Sequence, residues 1–408
     1  MDKHGRVGWN RISSFIQLPG SYLAFLVGLL ISRIGDSLYT FAIPWIAYEL
    51  TRSAIIMGSL YAITVLPIVL FGPFIGVVVD QWDRRRLMMA SDVMRAVLVA
   101  TVPGLYFLGL LQLWYLYVVS FVLTILALLF DVANIAFIPN MAGKDLTRAN
   151  ASYQLAMQMA SIAGPILAGV TIALTGAFNT LWLDAVSFFA TFFAVFRMPP
   201  LGKTARANSI GDVLKNMNAG FQWLIHDRLN LALSLQAMVG NFGYSAAAAV
   251  LMYYLLSTLH LNAQQSSFNF ALIGVGGLVG ALIVVPLEKR FRRGFLISVL
   301  LSIGTTGFMV AILVHFWLAP GFAFAIVATC NIAWNTLVQS LRQETVPEHM
   351  LGRVLGFSRV FTRIAMPLGA MVGGMVSSSF SPIAVFAIAG TTKAIEVLVA
   401  VLSPIRKM

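Results

Sequence analysis

Charged side chains set inside long apolar runs are the residues of this chain with the most chemistry to offer. Arg33 and Asp36 stand three apart in the run Ser32–Asp36, SRIGD, so they can pair on one face of a helix. Asp92 and Arg95 repeat that spacing, and Lys393 and Glu396 repeat it again near the far end. Asp131 sits in another apolar run, with Asn134 and Phe137 following at helical spacing. A charge at the centre of a bilayer costs about 2.5–3.5 kcal/mol on insertion scales, so each of these residues needs a partner or a task. A carboxylate in such surroundings can take up and release a proton. Arg33 and Asp36 read either as a protonatable, substrate-facing site or as an ion pair that only holds the helix in place. Asp92 and Arg95, within two turns of an arginine cluster, read as a structural clamp, and Lys393 with Glu396 reads as a structural pair. Asp131 either lines a cavity or pairs with basic groups at the inner membrane edge. Asp36, Arg33, Asp131 and Glu396 are therefore the proton-coupling candidates.

Other chemistries lack their residues. His4, His226, His260, His315 and His349 fall in loops, termini or span edges, and no HExxH, CxxC or G-x-S-x-G element occurs. Cys330 is the only cysteine, which excludes an intramolecular disulfide and a cysteine metal cluster. Gly143-Lys144 is followed by Asp145 and lacks the preceding loop glycine of a phosphate cradle, so energy from ATP is not expected. Gly274 to Gly280 is glycine-rich but opens no soluble strand–helix unit, so it reads as a packing face. No catalytic residue, metal or cofactor is expected.

The elements that must position these charges are membrane helices. Hydrophobic residues make up 59% of the chain and charged residues 10%, with a mean hydropathy of +0.86, against about 25% charge in soluble domains. With about 20 apolar residues needed per crossing, the hydrophobic runs give twelve spans. They lie at 20–47, 54–79, 87–109, 114–138, 151–175, 179–198, 229–257, 264–286, 295–316, 319–341, 355–378 and 381–403. The net charge of +12 does not indicate nucleic acid, because its location follows topology. With both termini inside, every Lys and Arg except Arg52, Arg33, Arg95 and Lys393 lies in or beside a cytoplasmic segment. That asymmetry fixes the orientation and presents a basic surface to anionic headgroups. Arg11 and Ile12 belong to a short cytoplasmic lead-in, and no small-residue cleavage site follows the first apolar core, so no signal peptide is expected.

The chain also repeats itself. Gly72 and Gly280, Asp80 and Glu288, Arg84 and Arg292, Arg85 and Arg293, and Pro139 and Pro347 are each 208 residues apart, about half the chain. Residues 1–198 form one six-span half and 229–408 the other. Residues 199–228 join them through a polar start and an apolar stripe of Ile210, Val213, Leu214, Met217, Phe221 and Leu224. Ser209 with Asp212 reads as a helix start, so an interfacial helix is expected there. Asn241 and Tyr244 stand where the first half has Arg33 and Asp36. Gly72 and Gly76, four apart, mark a face that another helix can approach closely.

The run from Gly76 to Arg85, GVVVDQWDRR, resembles the loop-2/3 signature of the major facilitator superfamily, G-x-x-x-D-[RK]-x-G-[RK]-[RK]. Asp83 replaces the usual glycine, which is similar to the macrolide-efflux and enterobactin-exporter branch. Gln81 departs from both patterns, at a position where a charge contact is normally made. Ala151, Ala160, Gly164, Pro165, Ala168 and Gly169 resemble the antiporter motif of superfamily exporters in part, with alanine at three glycine positions. Gln343 to Val354, QETVPEHMLGRV, resembles the Q-x-x-V-P-E-x-x-L-G-R-V signature of the same branch.

The resemblance implies an all-α membrane protein with two pseudo-symmetric six-helix bundles around a midplane cavity lined by spans one, four, seven and ten. It implies cavity residues among Tyr39, Asn134, Phe137, Asn241, Tyr244, Asn331, Trp334 and Asn335. It implies gating residues Gly76, Asp80, Arg84, Arg85 and Arg353, with Asp80 meeting the start of span eleven through Arg353 or Arg359. The implied activity is proton-coupled export of amphipathic, macrolide-like small molecules from a monomer in the cytoplasmic membrane. Export of one endogenous solute, such as a siderophore or lysolipid, is the alternative. A non-transporting receptor or scaffold and a membrane-embedded enzyme fit less well, given the buried charges and the missing catalytic constellation.

Overall fold

The computed structural model describes residues 18–142, 145–198, 209–314 and 316–408. The lead-in at Arg11 and Ile12, His4, Gly143-Lys144, the polar linker start at 201–207, and His315 lie outside the described residues. Among the described residues there is no strand, and twelve helices are long and apolar enough to cross a membrane. In the first half the spans are one, Gly20–Thr51; two, Ala54–Gln81; three, Arg84–Phe107; four, Leu113–Ala142; five, Leu146–Thr175; and six, Ala177–Phe196. The linker helix, Ile210–His226, precedes span seven, Arg228–Tyr253, which ends in a widened turn at Tyr254–Thr258. Spans eight, nine and ten are Ala263–Glu288, Arg293–Leu313 and Ala319–Thr345. Span eleven joins Glu348–Arg363 to Ala365–Ser379 at Ile364, and span twelve is Pro382–Leu402.

Several spans run longer than apolar counting gives, because their polar ends are capped rather than broken. Asp83 accepts a hydrogen bond from the Arg86 backbone N–H at 2.8 Å, so span three begins at the arginines themselves. Span eleven begins at Glu348, seven residues before its apolar run, as an amphipathic first segment. Ser209 and Asp212 form a reciprocal capping box at the start of the linker helix, as their spacing predicts. One backbone N–H donation and one hydroxyl donation from Ser209 hold the Asp212 carboxyl below the usual carboxylate range.

Within the first half, span one packs on spans five and six, span three on four and six, and span two on four. In the second half, span seven packs on eleven and twelve, span nine on ten and twelve, and span eight on ten. The halves meet where span two packs on eleven and span five on eight. The linker helix belongs to the second half. A Cβ on Gly220 would stand 2.4 Å from the Arg353 carbonyl oxygen, and the Phe221 and Phe357 rings lie 5.3 Å apart. Its apolar stripe is divided: Leu224 is buried with Val346 and Val354, while Ile210 and Leu214 remain exposed.

Candidate functional site

The first half holds a connected set of buried charges. Arg33 donates to Asp36 at 3.1 Å and to Asp131 across to span four. Arg95 donates to Asp92 at 2.5 Å and reaches Asp36 at 3.4 Å. The Arg95 guanidinium also lies 4.4 Å from the Phe188 ring centroid and 4.8 Å from that of Phe130, which replaces part of its lost hydration. Asp184 of span six sits against span one: a Cβ on Gly35 would stand 2.7 Å from its Oδ1. Neither Asp184 oxygen has a hydrogen-bond partner among the described residues, and the side chain is fully buried. Access is graded across this set. The Asp131 side chain is 39% exposed, Asp36 29%, and Asp92 is sealed. Two guanidiniums thus face four carboxylates, an excess of negative charge that a low-dielectric interior does not hold without protons or cations.

The second half holds a cavity of about 790 Å³. It runs from Tyr244 and Phe324 in mid-helix to Gln339, Arg342 and Arg359 near the linker-helix face. Lys393 lines it, pairing with Glu396 at 3.0 Å and donating to Asn331 Oδ1 at 2.9 Å. The Trp334 indole N–H donates to Gln236, whose amide donates to the Glu396 backbone carbonyl, so this pair is held by three helices. Glycine at position 240 makes room for the pair, since a Cβ there would stand 2.3 Å from Glu396 Oε1. Among the described residues the first half contributes only Tyr61, Gln158 and Ser161 to the lining, and Gln158 donates across the halves to the Gly274 carbonyl at 2.7 Å.

The two ends of the molecule differ in closure. On the face opposite the linker helix, Tyr48 stacks edge-on with Tyr253 at 5.9 Å and Phe41 with Phe270 at 5.3 Å. There a Cβ on Gly58 would stand 2.7 Å from the Ala370 carbonyl oxygen, and one on Gly169 would stand 2.8 Å from the Ala263 carbonyl oxygen. Toward the linker helix, by contrast, added Cβ atoms on Gly72 and Gly76 of span two and on Gly352 and Gly356 of span eleven would meet nothing within 4 Å. The close approach expected at Gly72 and Gly76 is therefore made instead at Gly58, at the opposite end of the same helix. Asp80 lies 3.9 Å from Arg84 of its own loop, and the Arg353 guanidinium contacts Met350 Sδ at 3.8 Å. The expected pairing of Asp80 with Arg353 or Arg359 is not formed, because the helix ends that would carry it stand apart. Arg85 donates to the Val195 and Phe196 carbonyls and so caps span six.

Residues 25–369 match the Major Facilitator Superfamily profile. The chain belongs to the Major Facilitator Superfamily. Among curated relatives it is 26% identical over 378 residues to the multidrug efflux pump Tap of Mycolicibacterium fortuitum, covering 88% of this chain and 90% of that one. It is 25% identical over 401 residues to the enterobactin exporter EntS of Citrobacter koseri, covering 94% of this chain and 92% of that one. Among solved structures, the nucleoside transporter NupG superposes with a TM-score of 0.75 at 12% identity, over 94% of this chain and 99% of that one. A bacterial homologue of the iron transporter ferroportin in an inward-facing state gives 0.69 at 18% identity, over 94% and 98%. The protein is thus a multi-pass superfamily transporter with efflux-pump and exporter relatives, and not an enzyme.

Within this superfamily frame, the residues singled out from sequence divide. Asn241, Tyr244, Asn331, Trp334, Asn335 and Glu396 line the cavity. Tyr39 bonds Ser120 at 2.9 Å and packs beside the first-half core, and Phe137 is buried against Phe25. Asn134 is fully buried. Spans one and four add nothing described to the cavity wall; Arg33, Asp36 and Asp131 are engaged with one another instead. Gly164 packs on Ser37 of span one, and Gly169 on Ser267 of span eight, so the Pro165 segment touches both halves. Asp92 and Arg95 are not an isolated clamp near the membrane edge: Arg95 joins the Asp36 cluster, which span three brings alongside span one through span six. Asp184 is not legible from pair spacing, since no residue of opposite charge stands three or four positions from it. A lone aspartate in an apolar run is itself the signal that would have found it.

Proposed function

We propose that this transporter exports amphipathic small molecules across the cytoplasmic membrane in exchange for protons, by alternating access. The observation that carries this is the first-half charge set, in which Asp36, Asp92, Asp131 and Asp184 outnumber Arg33 and Arg95. Its grading from part-exposed Asp131 to sealed Asp184 gives protons an entry and a store. The basic residues concentrate toward the linker face, which by the positive-inside rule is cytoplasmic, with both termini there. The cavity then loads from the cytoplasm, and export follows when its outer closure opens and the glycine faces at Gly72, Gly76, Gly352 and Gly356 come together. Closing those faces brings Asp80 toward span eleven, where Arg353 and Arg359 stand. A single chain supplies both halves of the cavity, so a monomer suffices. Relatives named as a multidrug efflux pump and as an enterobactin exporter agree with the outward direction. A dedicated exporter of one endogenous solute is the second reading, favoured by the arginines of the cavity.

The test is substrate-dependent proton movement in proteoliposomes across a panel of macrolides and other amphiphiles, followed with an entrapped pH-sensitive dye. At least one compound is expected to drive proton flux in the wild type and none in Asp36→Asn. A folded wild-type protein that moves compound without protons would remove the antiport mechanism. One that moves no compound would remove the export role.

A further inference from the structure

Arg342, Arg359 and Arg363 all line the second-half cavity. Arg342 comes from span ten, and the other two lie one helical turn apart on span eleven, on a shared face. Arg342 donates to the Ser234 hydroxyl at 2.8 Å, and that hydroxyl lies 2.9 Å from the Ser358 hydroxyl, next to Arg359. This chain ties the two arginine-bearing helices together at the cavity wall. The Arg342 Nε is buried without a hydrogen-bond partner, and none of the three guanidiniums pairs with a carboxylate among the described residues. Arg293, by contrast, pairs with both Glu288 and Glu344. Among the described residues Glu396 is the sole acidic residue of the lining, and Lys393 already neutralises it. Basic residues that mark a membrane edge reach outward to headgroups, whereas these three face a cavity whose upper wall carries Tyr244, Phe270 and Phe324.

From this we infer that the cavity takes its solute by an anionic group, a phosphate or carboxylate, held by Arg342, Arg359 and Arg363, with the apolar body directed toward Phe270 and Phe324. The inference rests on the cavity being the transported molecule's site. Guanidinium groups suit this task because they present planar donor pairs that match a carboxylate or phosphate edge. Cationic amphiphiles would meet three uncompensated positive charges and be disfavoured.

The full-length protein in a neutral maltoside detergent is titrated with dansyl-labelled dodecyl phosphate and with the corresponding dansyl-labelled alcohol. The wild type is expected to bind the phosphate at least about tenfold more tightly. The variant R359Q/R363Q should lose several-fold of that preference, and R342Q/R359Q/R363Q nearly all of it, with alcohol binding retained. Because Arg359 and Arg363 are exposed to the cavity, their double variant tests the site even if loss of Arg342 impairs folding. Equal affinity for phosphate and alcohol in the wild type, or an undiminished preference in the folded double variant, would overturn the site. Competition separates the sources of the anion. Displacement by dihexanoyl phosphatidate ahead of hexyl phosphate supports the site and marks a lipid, the reverse order supports it and marks a single-chain solute, and displacement by neither overturns it. Proton flux in proteoliposomes is read separately. A phosphate preference in a protein that moves no protons keeps this site and removes antiport, and proton flux without the preference does the opposite.

Discussion

Asp184 of span six presses on Gly35 of span one, and 208 residues later Thr392 of span twelve presses on Gly243 of span seven. A Cβ on Gly243 would stand 1.8 Å from the Thr392 hydroxyl, so the same close helix crossing is built twice. Its chemical content is not. Arg33, Asp36 and Asp131 correspond to Asn241, Tyr244 and Gln339, all uncharged. In the other direction Asn134, Ala185 and Phe188 correspond to Arg342, Lys393 and Glu396. Both halves keep the helix frame, but the first folds its charges onto one another while the second turns them toward a cavity. The difference teaches that packing and charge are set separately on one scaffold: small residues fix where helices cross, and the side chains around each crossing are free to serve different ends. On the proposed reading, coupling belongs to the first half and solute recognition to the second.

The sharpest way to break that division is to neutralise one carboxylate in each half. Asp36→Asn is expected to reduce proton-driven accumulation to the level reached with the gradient collapsed, with equilibrium binding of the solute kept. Glu396→Gln leaves Lys393 uncompensated in the cavity, so it should tighten binding of an anionic solute and leave proton flux per molecule unchanged. The opposite pattern would exchange the roles of the two halves.

Stability offers the next contrast. Arg95→Leu leaves Asp92 sealed with no partner and is expected to cost about 3–5 kcal/mol, visible as a lowered Tm and loss of monodisperse protein. Arg95→Leu combined with Asp92→Leu should recover most of it. A single variant as stable as the parent would mean that the charges are independent, not one set.

Glycine substitutions sharpen the comparison of the two frames. A Cβ on Gly280 would stand 2.4 Å from the Thr329 carbonyl oxygen, so Gly280→Val is expected to cost about 1–3 kcal/mol. Gly72→Val, at the matching place in the first half, enters open space and should leave Tm unchanged. Its effect should appear in distances between spin labels on spans two and eleven, which would remain at the linker-open separation. Labels that close normally in Gly72→Val would show that this face takes no part in gating.

The smallest effect concerns the joint between halves. Since Ser209 holds the Asp212 carboxyl below its ordinary range, the stabilisation is complete above the usual carboxylate range and is lost as pH falls through the lowered value. Ser209→Ala should flatten that acid-side loss of linker-helix protection, measured by hydrogen exchange at Ile210–His226. Unchanged acid sensitivity would place its cause elsewhere. Charge placed at Leu214, which is exposed, should be tolerated less well in a bilayer than in detergent, because only a bilayer gives that stripe an apolar surface to rest on.

The sequence by itself determined the features that arise within one helix. Apolar length set the twelve spans, and three-residue spacing set the Arg33–Asp36, Asp92–Arg95 and Lys393–Glu396 pairs. Ser209 and Asp212 announced their cap because both partners lie in one turn. Tertiary structure alone decided how those pairs combine. Arg33 meets Asp131, 98 residues away, Arg95 meets Asp36, 59 residues away, and Asp184 meets span one only because Gly35 lets the backbones approach. Helical period likewise places Asn134 and Phe137 near one face, yet the rotation of span four directs Phe137 into a core with Phe25. Arg342, Arg359 and Arg363 read in sequence as membrane-edge charge, and only the packing of spans ten and eleven turns them inward. The physical reason is that spacing along a helix fixes which side chains share a face, while the rotation of that face depends on contacts with helices far away in the chain.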